Sequence, residues 1–408
     1  MTKPGITRLP AGILIALSYL AFVSLGLPDG LLGVAWPGMR DTFGVRLDAL
    51  GILMVWSTLG YLVSGFGSSM LLRRLGIGNL LTLSCLLTLC FLWGYALSGE
   101  WLILWPLAFL GGLGAGGIDA GLNHYVEERF GHAVMQWMHA CYGIGVTAGP
   151  LIMTFSIAEW NTWRVGFMVA GFVQLMLTLV FFTVRKRWET VRIPTSQRSS
   201  SQDKPAPHAS MSESLKSGRI WLSALLFLTY VGVEAGLGVW AFSFLTESKG
   251  LATQTSGIWV GAYWASFTMG RIASGFLISK ISSTRLLYIG IAGASAGVIL
   301  LSIDGHPLLP LPGLLLSGLA LSPMFAALMS TTSLRVGRSH TSNAIAMQIG
   351  FAGLGGGLLP AFTGIVAQQL GLAFVPMWLL LLLSLLLVLI VILHRPATSA
   401  SDVRSGQP

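Results

Sequence analysis

Apolar residues run through this chain in long blocks rather than in alternating or short amphipathic patterns. A block of roughly 20 residues is what one helix needs to cross the hydrocarbon core of a bilayer. Twelve such blocks occur, at 11–36, 47–72, 77–98, 101–126, 133–158, 164–184, 219–245, 255–280, 284–303, 308–334, 341–369 and 372–393. They predict an all-α membrane protein with twelve transmembrane helices. The long polar segment Arg185 to Ser217, rich in Ser, Pro and basic residues, falls between the sixth and seventh blocks and reads as a flexible linker. The expected division is 1–184 for a first six-helix bundle, 185–217 for the linker, and 218–408 for a second bundle with a short tail.

Composition agrees with that pattern. Hydrophobic residues make up 54% of the 408 and charged residues only 10%, with a mean hydropathy of +0.75. Soluble domains hold about a quarter charged residues. The net charge of +9 matters less than where it lies. With both termini inside, the inner segments hold Lys3, Arg8, Arg73, Arg74, Arg129, eight basic residues around the linker, Lys280, Arg285, Arg335, Arg338, Arg395 and Arg404. The outer loops hold Arg40, Arg46, Arg164 and Lys249. That bias of nineteen to four sets both termini in the cytoplasm and suits an inner membrane.

The first block extends past signal-peptide length without a clear cleavage site and reads as the first span. Cys85, Cys90 and Cys141 all fall inside spans, so no disulfide framework is expected. No metal cluster, cofactor motif or nucleophile–base set stands out. An enzyme, a cofactor and a nucleic-acid partner are therefore not expected, and a monomer in the lipid bilayer is.

The stretch Gly111 to Pro150 departs most from apolar monotony. It reads as two helices joined by the charged turn Glu127-Glu128-Arg129. Asp119 and Asn123 lie one turn apart on the first, and His139 and Tyr142 one turn apart on the second, so each pair shares a face. Asp29, Asp119, His139, Glu234 and Arg271 are ionisable groups well inside spans. Facing lipid, a charged side chain costs about 2.5–3.5 kcal/mol on insertion scales, so these should face the bundle interior.

Asp119, Asp29 and Glu234 are candidates for cation coupling, since a carboxylate can take a proton or give sodium a hard oxygen ligand; structural hydrogen bonding is the competing role. Asn123, His139 and Tyr142 offer donors and acceptors to a hydroxyl-bearing substrate, as does Gln348 in the eleventh span. Trp36 and Trp240 could stack on an apolar ring face or anchor at the interface. Arg271, Glu127, Arg129 and Arg335 read as gating or structural charges.

The chain also repeats itself. A shift of 210 carries Gly51, Gly60, Ser64, Gly65 and Phe66 onto Gly261, Gly270, Ser274, Gly275 and Phe276, and Gly143, Gly145 and Pro150 onto Gly353, Gly355 and Pro360. A shift of 206 carries Pro106, Gly112, Arg129 and Gly131 onto Pro312, Gly318, Arg335 and Gly337. A shift of 205 sets Asp29 on Glu234. The polar set of spans four and five does not recur, because Asp119, Asn123 and His139 fall on Phe325, Met329 and Ile349.

Six-plus-six parallel repeats with a central linker resemble the major facilitator superfamily, whose site lies between the halves near the midplane. Gly-Ile-Asp-Ala-Gly-Leu-Asn at 117–123, Met-Gln-Trp-Met-His-Ala-Cys-Tyr-Gly-Ile-Gly at 135–145 with Gly149-Pro150, and Val-Gly-Val-Glu-Ala-Gly-Leu-Gly-Val-Trp at 231–240 are similar to the fucose permease and sodium-dependent glucose transporter group. The resemblance implies a hexose or related polyol carried in symport with a proton or sodium. It also marks two departures: the first-span acid of fucose permeases would fall at Gly33, where this chain has Asp29 a turn earlier, and the fourth-span acid is Glu there and Asp here. The competing expectation is a proton-antiport efflux carrier for amphipathic drugs or metabolites. A non-transporting sensor or a lipid translocator on the same scaffold is a further class.

Overall fold

No water is present in a bilayer core to bond the backbone, so a spanning segment must satisfy its own N–H and C=O groups, as a helix does. The computed structural model, which describes residues 9–188, 209–277 and 280–394, places a helix on each apolar block. The first half holds α1 (Ala11–Phe43), α2 (Leu50–Leu75), α3 (Ile77–Leu97), α4 (Leu104–Arg129), α5 (Gly131–Trp160) and α6 (Arg164–Trp188). The second holds α7 (Gly218–Ser243), α8 (Thr253–Leu277), α9 (Ser283–Ser302), α10 (opening with Pro310–Leu321), α11 (Thr341–Leu370) and α12 (Val375–His394). Among the described residues, eleven helices are both long and apolar enough to cross a membrane. The twelfth, α8, has the length, 25 residues, but starts on Thr253-Gln254-Thr255-Ser256 and carries Arg271.

Three segments differ from the sequence expectation. Helix α1 continues through Pro37 to Phe43 rather than ending at 36. The tenth block, expected to be continuous over 308–334, breaks after Leu321 and resumes as Met324–Ser330 and Thr332–Val336. Pro323 has no N–H to give, and the Leu319 carbonyl it would have met accepts the Ser322 hydroxyl instead (2.9 Å). The linker is expected to be flexible from 185 to 217, yet α6 extends to Trp188 and residues 209–217 are docked; 189–208 lie outside the described residues.

The docked piece is a single helical turn, Met211–Leu215, with a capping box at its start. The Ser210 hydroxyl accepts from the Glu213 N–H (3.1 Å) and the Glu213 carboxylate accepts from the Ser210 N–H (2.8 Å). Those bonds to the charged form hold the Glu213 carboxyl below its ordinary value. Asn343, at the start of α11, donates to the Ala209 carbonyl and the Ser214 hydroxyl, both at 2.9 Å.

Packing follows one rule in both halves. In the first, α1 lies on α5, α2 on α4 and α3 on α6; in the second, α7 lies on α11, α8 on α10 and α9 on α12. The halves meet along α2·α11, α5·α8 and α1·α7. The first two seams exchange under the repeat that relates the halves, and the third maps onto itself. The result is two pseudo-symmetric six-helix bundles around a central axis.

The α1·α7 crossing explains the displaced acid. A methyl group on Gly33 would lie 2.6 Å from the Val239 carbonyl oxygen, so no side chain fits there while the helices cross. The carboxylate sits one turn back, at Asp29. We expect Gly33→Leu to cost about 1–3 kcal/mol through overpacking, read as a lowered thermal unfolding midpoint in detergent. Gly275→Leu, where a methyl group would meet nothing within 4 Å, is the matched control.

The two ends of the bundle differ. At the end away from the start of α1, the halves are tied by Arg40 to Glu247 (2.9 Å) and by the Leu47 N–H to the Gln368 side-chain oxygen (2.9 Å). Toward the end where α1 starts and α12 stops, Phe66 on α2 reaches the Gly350 region of α11 yet is 81% exposed. The halves are thus tied by polar contacts at the first end, while at the second a phenyl ring of one half lies near a glycine of the other.

Candidate functional site

Glycine-rich α4 carries its polar pair about two-thirds of the way along, where Gly112 and Gly116 allow close approach to α2. That approach brings Tyr61 of α2 against Asp119: the phenol donates to Oδ2 at 2.5 Å. The Asn123 amide donates to the other carboxylate oxygen, Oδ1, at 2.9 Å. Both oxygens of Asp119 are thus engaged, and among the described residues the buried carbonyl oxygen of Asn123 has no partner.

A second pair lies across the first half. The Tyr142 hydroxyl on α5 donates to Oδ2 of Asp29 on α1 at 2.7 Å. Asp29 is exposed although it sits mid-helix and is bonded to a neighbouring helix, as expected of a group lining a cleft. One turn before Tyr142, the His139 ring packs edge-on against Phe22, with centroids 5.2 Å apart. His139 is also within electrostatic reach of Asp119 and Arg271.

The second half closes the cluster with different chemistry. Glu234 on α7 is half-buried and lies within reach of Arg271 and the Tyr230 hydroxyl. The Tyr263 hydroxyl donates to the Glu234 backbone carbonyl at 2.9 Å. Tyr142 feels Asp29, Glu234 and Arg271 together, so groups from both halves converge. The 210-residue shift that aligns α2 with α8 puts Tyr61 on Arg271. A phenol in one half is therefore replaced by a guanidinium at the equivalent place in the other. Arg271, expected to be a gating or structural charge, belongs to this cluster; it rests over the Phe267 ring at 4.7 Å and forms no ion pair within 4 Å among the described contacts.

Other residues named from the sequence stand apart. Trp36 and Trp240 are fully buried; the indole of Trp240 donates to the Pro360 carbonyl (2.8 Å), while Trp36 packs near Trp101. Gln348 is fully buried too, accepting from Thr332 (3.0 Å) and donating to Ser223 (2.7 Å). Arg335 shares that network and is buried, 3% exposed, in keeping with a structural charge. It donates to the Ser223, Thr331 and Thr332 hydroxyls and to the Leu328 carbonyl. Arg129 sits over Tyr125 at 5.2 Å, and Glu127 is exposed beside it.

Sequence reasoning passed over Tyr61, Tyr230 and Tyr263, because a search for ionisable groups inside spans skips phenols. The repeat alignment of Tyr61 with Arg271 was the signal available. A groove of about 700 Å³ lies elsewhere, toward the end tied by Arg40 and Glu247, between α2 and α11 beside Arg46, Asp48 and Trp56, and contains none of the cluster. Among the described residues no group of three or more His, Cys, Asp or Glu has a metal-holding arrangement. The cluster instead offers three carboxylates, one guanidinium, one imidazole and several phenols, suited to binding a small cation and a hydroxyl-rich solute.

The family model described as Major Facilitator Superfamily matches residues 18–347. The chain is similar to Bypass of stop codon protein 6 of Saccharomyces cerevisiae, at 23% identity over 88% of this chain and 78% of that one. It is similar to Glucose/mannose transporter GlcP of Bacillus subtilis, at 21% identity over 85% of this chain and 86% of that one. In structure it resembles a mutant form of the nucleoside transporter NupG, with a TM-score of 0.73 at 14% identity over 93% of this chain and 99% of that one.

Proposed function

The chain belongs to the Major Facilitator Superfamily, and from that premise we propose that it carries a sugar, a hexose or related polyol, across the membrane in symport with a proton or sodium. It is a multi-pass membrane transporter, not an enzyme. The observation that carries the sugar reading is the polar cluster in the cleft, with two carboxylates held by phenols and an unpaired amide oxygen beside them. Similarity to a transporter named for glucose and mannose supports the same reading.

In this proposal Asp119, Asp29 and Glu234 serve coupling, while Asn123, His139 and Tyr142 meet substrate hydroxyls. Gln348, Trp36 and Trp240 support the walls behind them. The chain works as a monomer of two bundles, 1–184 and 218–408, in an inner membrane with both termini cytoplasmic. The end where α1 starts and α12 stops then faces the cytoplasm. Binding of the cation and the solute biases the populations of the two cleft orientations, which is how downhill ion entry drives uptake.

Uptake of a radiolabelled hexose panel into proteoliposomes, under imposed proton and sodium gradients, tests this. Accumulation of at least one hexose under one gradient is expected. If no sugar accumulates under either gradient while an amphipathic dye is extruded, the efflux reading replaces this one. Arg271, which has no ion pair within 4 Å among the described residues, favours a second reading: a sugar acid whose carboxylate pairs with the guanidinium. Hexuronates belong in the same panel for that reason.

A further inference from the structure

The geometry points to Tyr61 and Tyr142 as a matched pair of positioning residues that carry the state of two acids to the seams between the halves. This inference rests on the reading of Asp29 and Asp119 as coupling acids. The match lies within the first half. Exchange α1 with α4 and α2 with α5, and the α2·α4 contact becomes the α5·α1 contact. The bond from Tyr61 on α2 to Asp119 on α4 becomes the bond from Tyr142 on α5 to Asp29 on α1. Each acid is held by a phenol from the other triplet of helices.

Both tyrosines sit on helices that also form the contact between the halves. Helix α2 packs on α11, and a methyl group on Gly353 would lie 3.5 Å from the Tyr61 ring. Helix α5 packs on α8, where Gly143, next to Tyr142, lies against Thr268. One face of each tyrosine helix thus reads an acid, and the next face touches the opposite half. The charged and titratable groups around Asp119 are Tyr61 from α2 and His139 from α5. Those around the Asp29–Tyr142 pair are Tyr61 from α2, Glu234 from α7 and Arg271 from α8.

The step is proton or cation binding alone. A hydrogen bond to an ionised carboxylate is roughly twice as strong as one between neutral groups. When the carboxylate takes a proton or sodium, its negative charge is cancelled and the phenol is held less firmly. Helix α2 is then freer against α4, and α5 against α1, so each can repack on its partner in the other half. The second half keeps one acid, Glu234 for Asp29, but lacks the phenols that pair with the acids here: Tyr61 and Asp119 are matched by Arg271 and Phe325, and Tyr142 by Ala352. The switch is therefore confined to one half.

Nitroxide labels at Arg74→Cys, at the end of α2, and at Arg338→Cys, in the turn just before α11, both exposed, report the distance between the halves. The background has Cys85, Cys90 and Cys141 replaced by Ala. Distances are measured by pulsed electron resonance in acidic against alkaline buffer, and in sodium against choline buffer, with no sugar added. The parent protein is expected to change its distance distribution with protons or with sodium. Tyr61→Phe and Tyr142→Phe should each reduce the response, and the double variant should abolish it while keeping the parent's thermal unfolding midpoint. In sugar assays the ratio of accumulation to exchange should fall roughly tenfold in each single variant, as for loss of one hydrogen bond to a charged group. A parent that does not respond, or a double variant that responds in full, overturns the inference. Failure to carry any sugar, with the label response intact, overturns only the sugar reading.

Discussion

Asp119→Asn is expected to lower gradient-driven accumulation roughly a hundredfold, the upper range of coupling between two sites, while exchange of sugar partly survives. Asn keeps the shape of Asp and can still accept from Tyr61, though less strongly, so it holds α2 on α4 as the neutralised acid would. What it loses is the charge that takes up a proton or sodium. A transporter with its ion site neutralised can still move between cleft orientations when loaded with solute, which exchange requires. It has no means of letting the ion gradient weigh one orientation against the other. The comparison is made in proteoliposomes with equal amounts of reconstituted protein. Full accumulation in the variant would remove Asp119 from the coupling role and move it to Asp29 or Glu234.

The largest expected loss of stability comes from the other half. Arg335→Ala would strip donors from the Ser223, Thr331 and Thr332 hydroxyls and from the Leu328 carbonyl, in a site that is 3% exposed. Each of these groups keeps another partner, Gln348 among them, so the loss is of hydrogen bonds to a charged group, worth about 1.5–3 kcal/mol, and with the cavity left by the side chain the expected total is roughly 2–4 kcal/mol. Its repeat-mate Arg129 supplies the comparison. Half-exposed and stacked on Tyr125 at 5.2 Å, it should cost about 0.5–1 kcal/mol when changed to Ala. Thermal unfolding of both variants in the same detergent measures the difference. Equal shifts would show that the Arg335 network contributes no more than a surface stack.

The helices were legible because crossing a bilayer demands length and apolarity, and both are written directly in residue order. Breaks were harder to see. Pro323 marks its break, but Pro37 does not end α1 and Pro150 lies within a continuous α5. The outcome depends on how the freed carbonyls are met by neighbours such as Ser322. The candidate site was half legible. Asp119 with Asn123, and His139 with Tyr142, are neighbours by helical spacing alone. Tyr61 lies 58 residues from Asp119 and Tyr142 lies 113 from Asp29, separations across which spacing carries no information. Gln348 looked equally suited to a cleft from its place in span eleven. Its partner Ser223, 125 residues away, turns it into the core of the second half instead. Trp36 and Trp240 show the same limit, since an indole that fills a core and one that lines a cavity look alike in residue order.

The α1·α7 crossing at Gly33 has a mechanical consequence. At roughly 1.5 Å per residue, that point stands about 33 Å from the start of α1 and about 15 Å from its end. If the halves rock about it, the two arms of the lever differ about twofold. A shift at the tied end just large enough to part Arg40 from Glu247 moves the far ends of the bundles about twice as far. The transporter can thus turn the loss of one short ion pair at one end into a larger movement at the other.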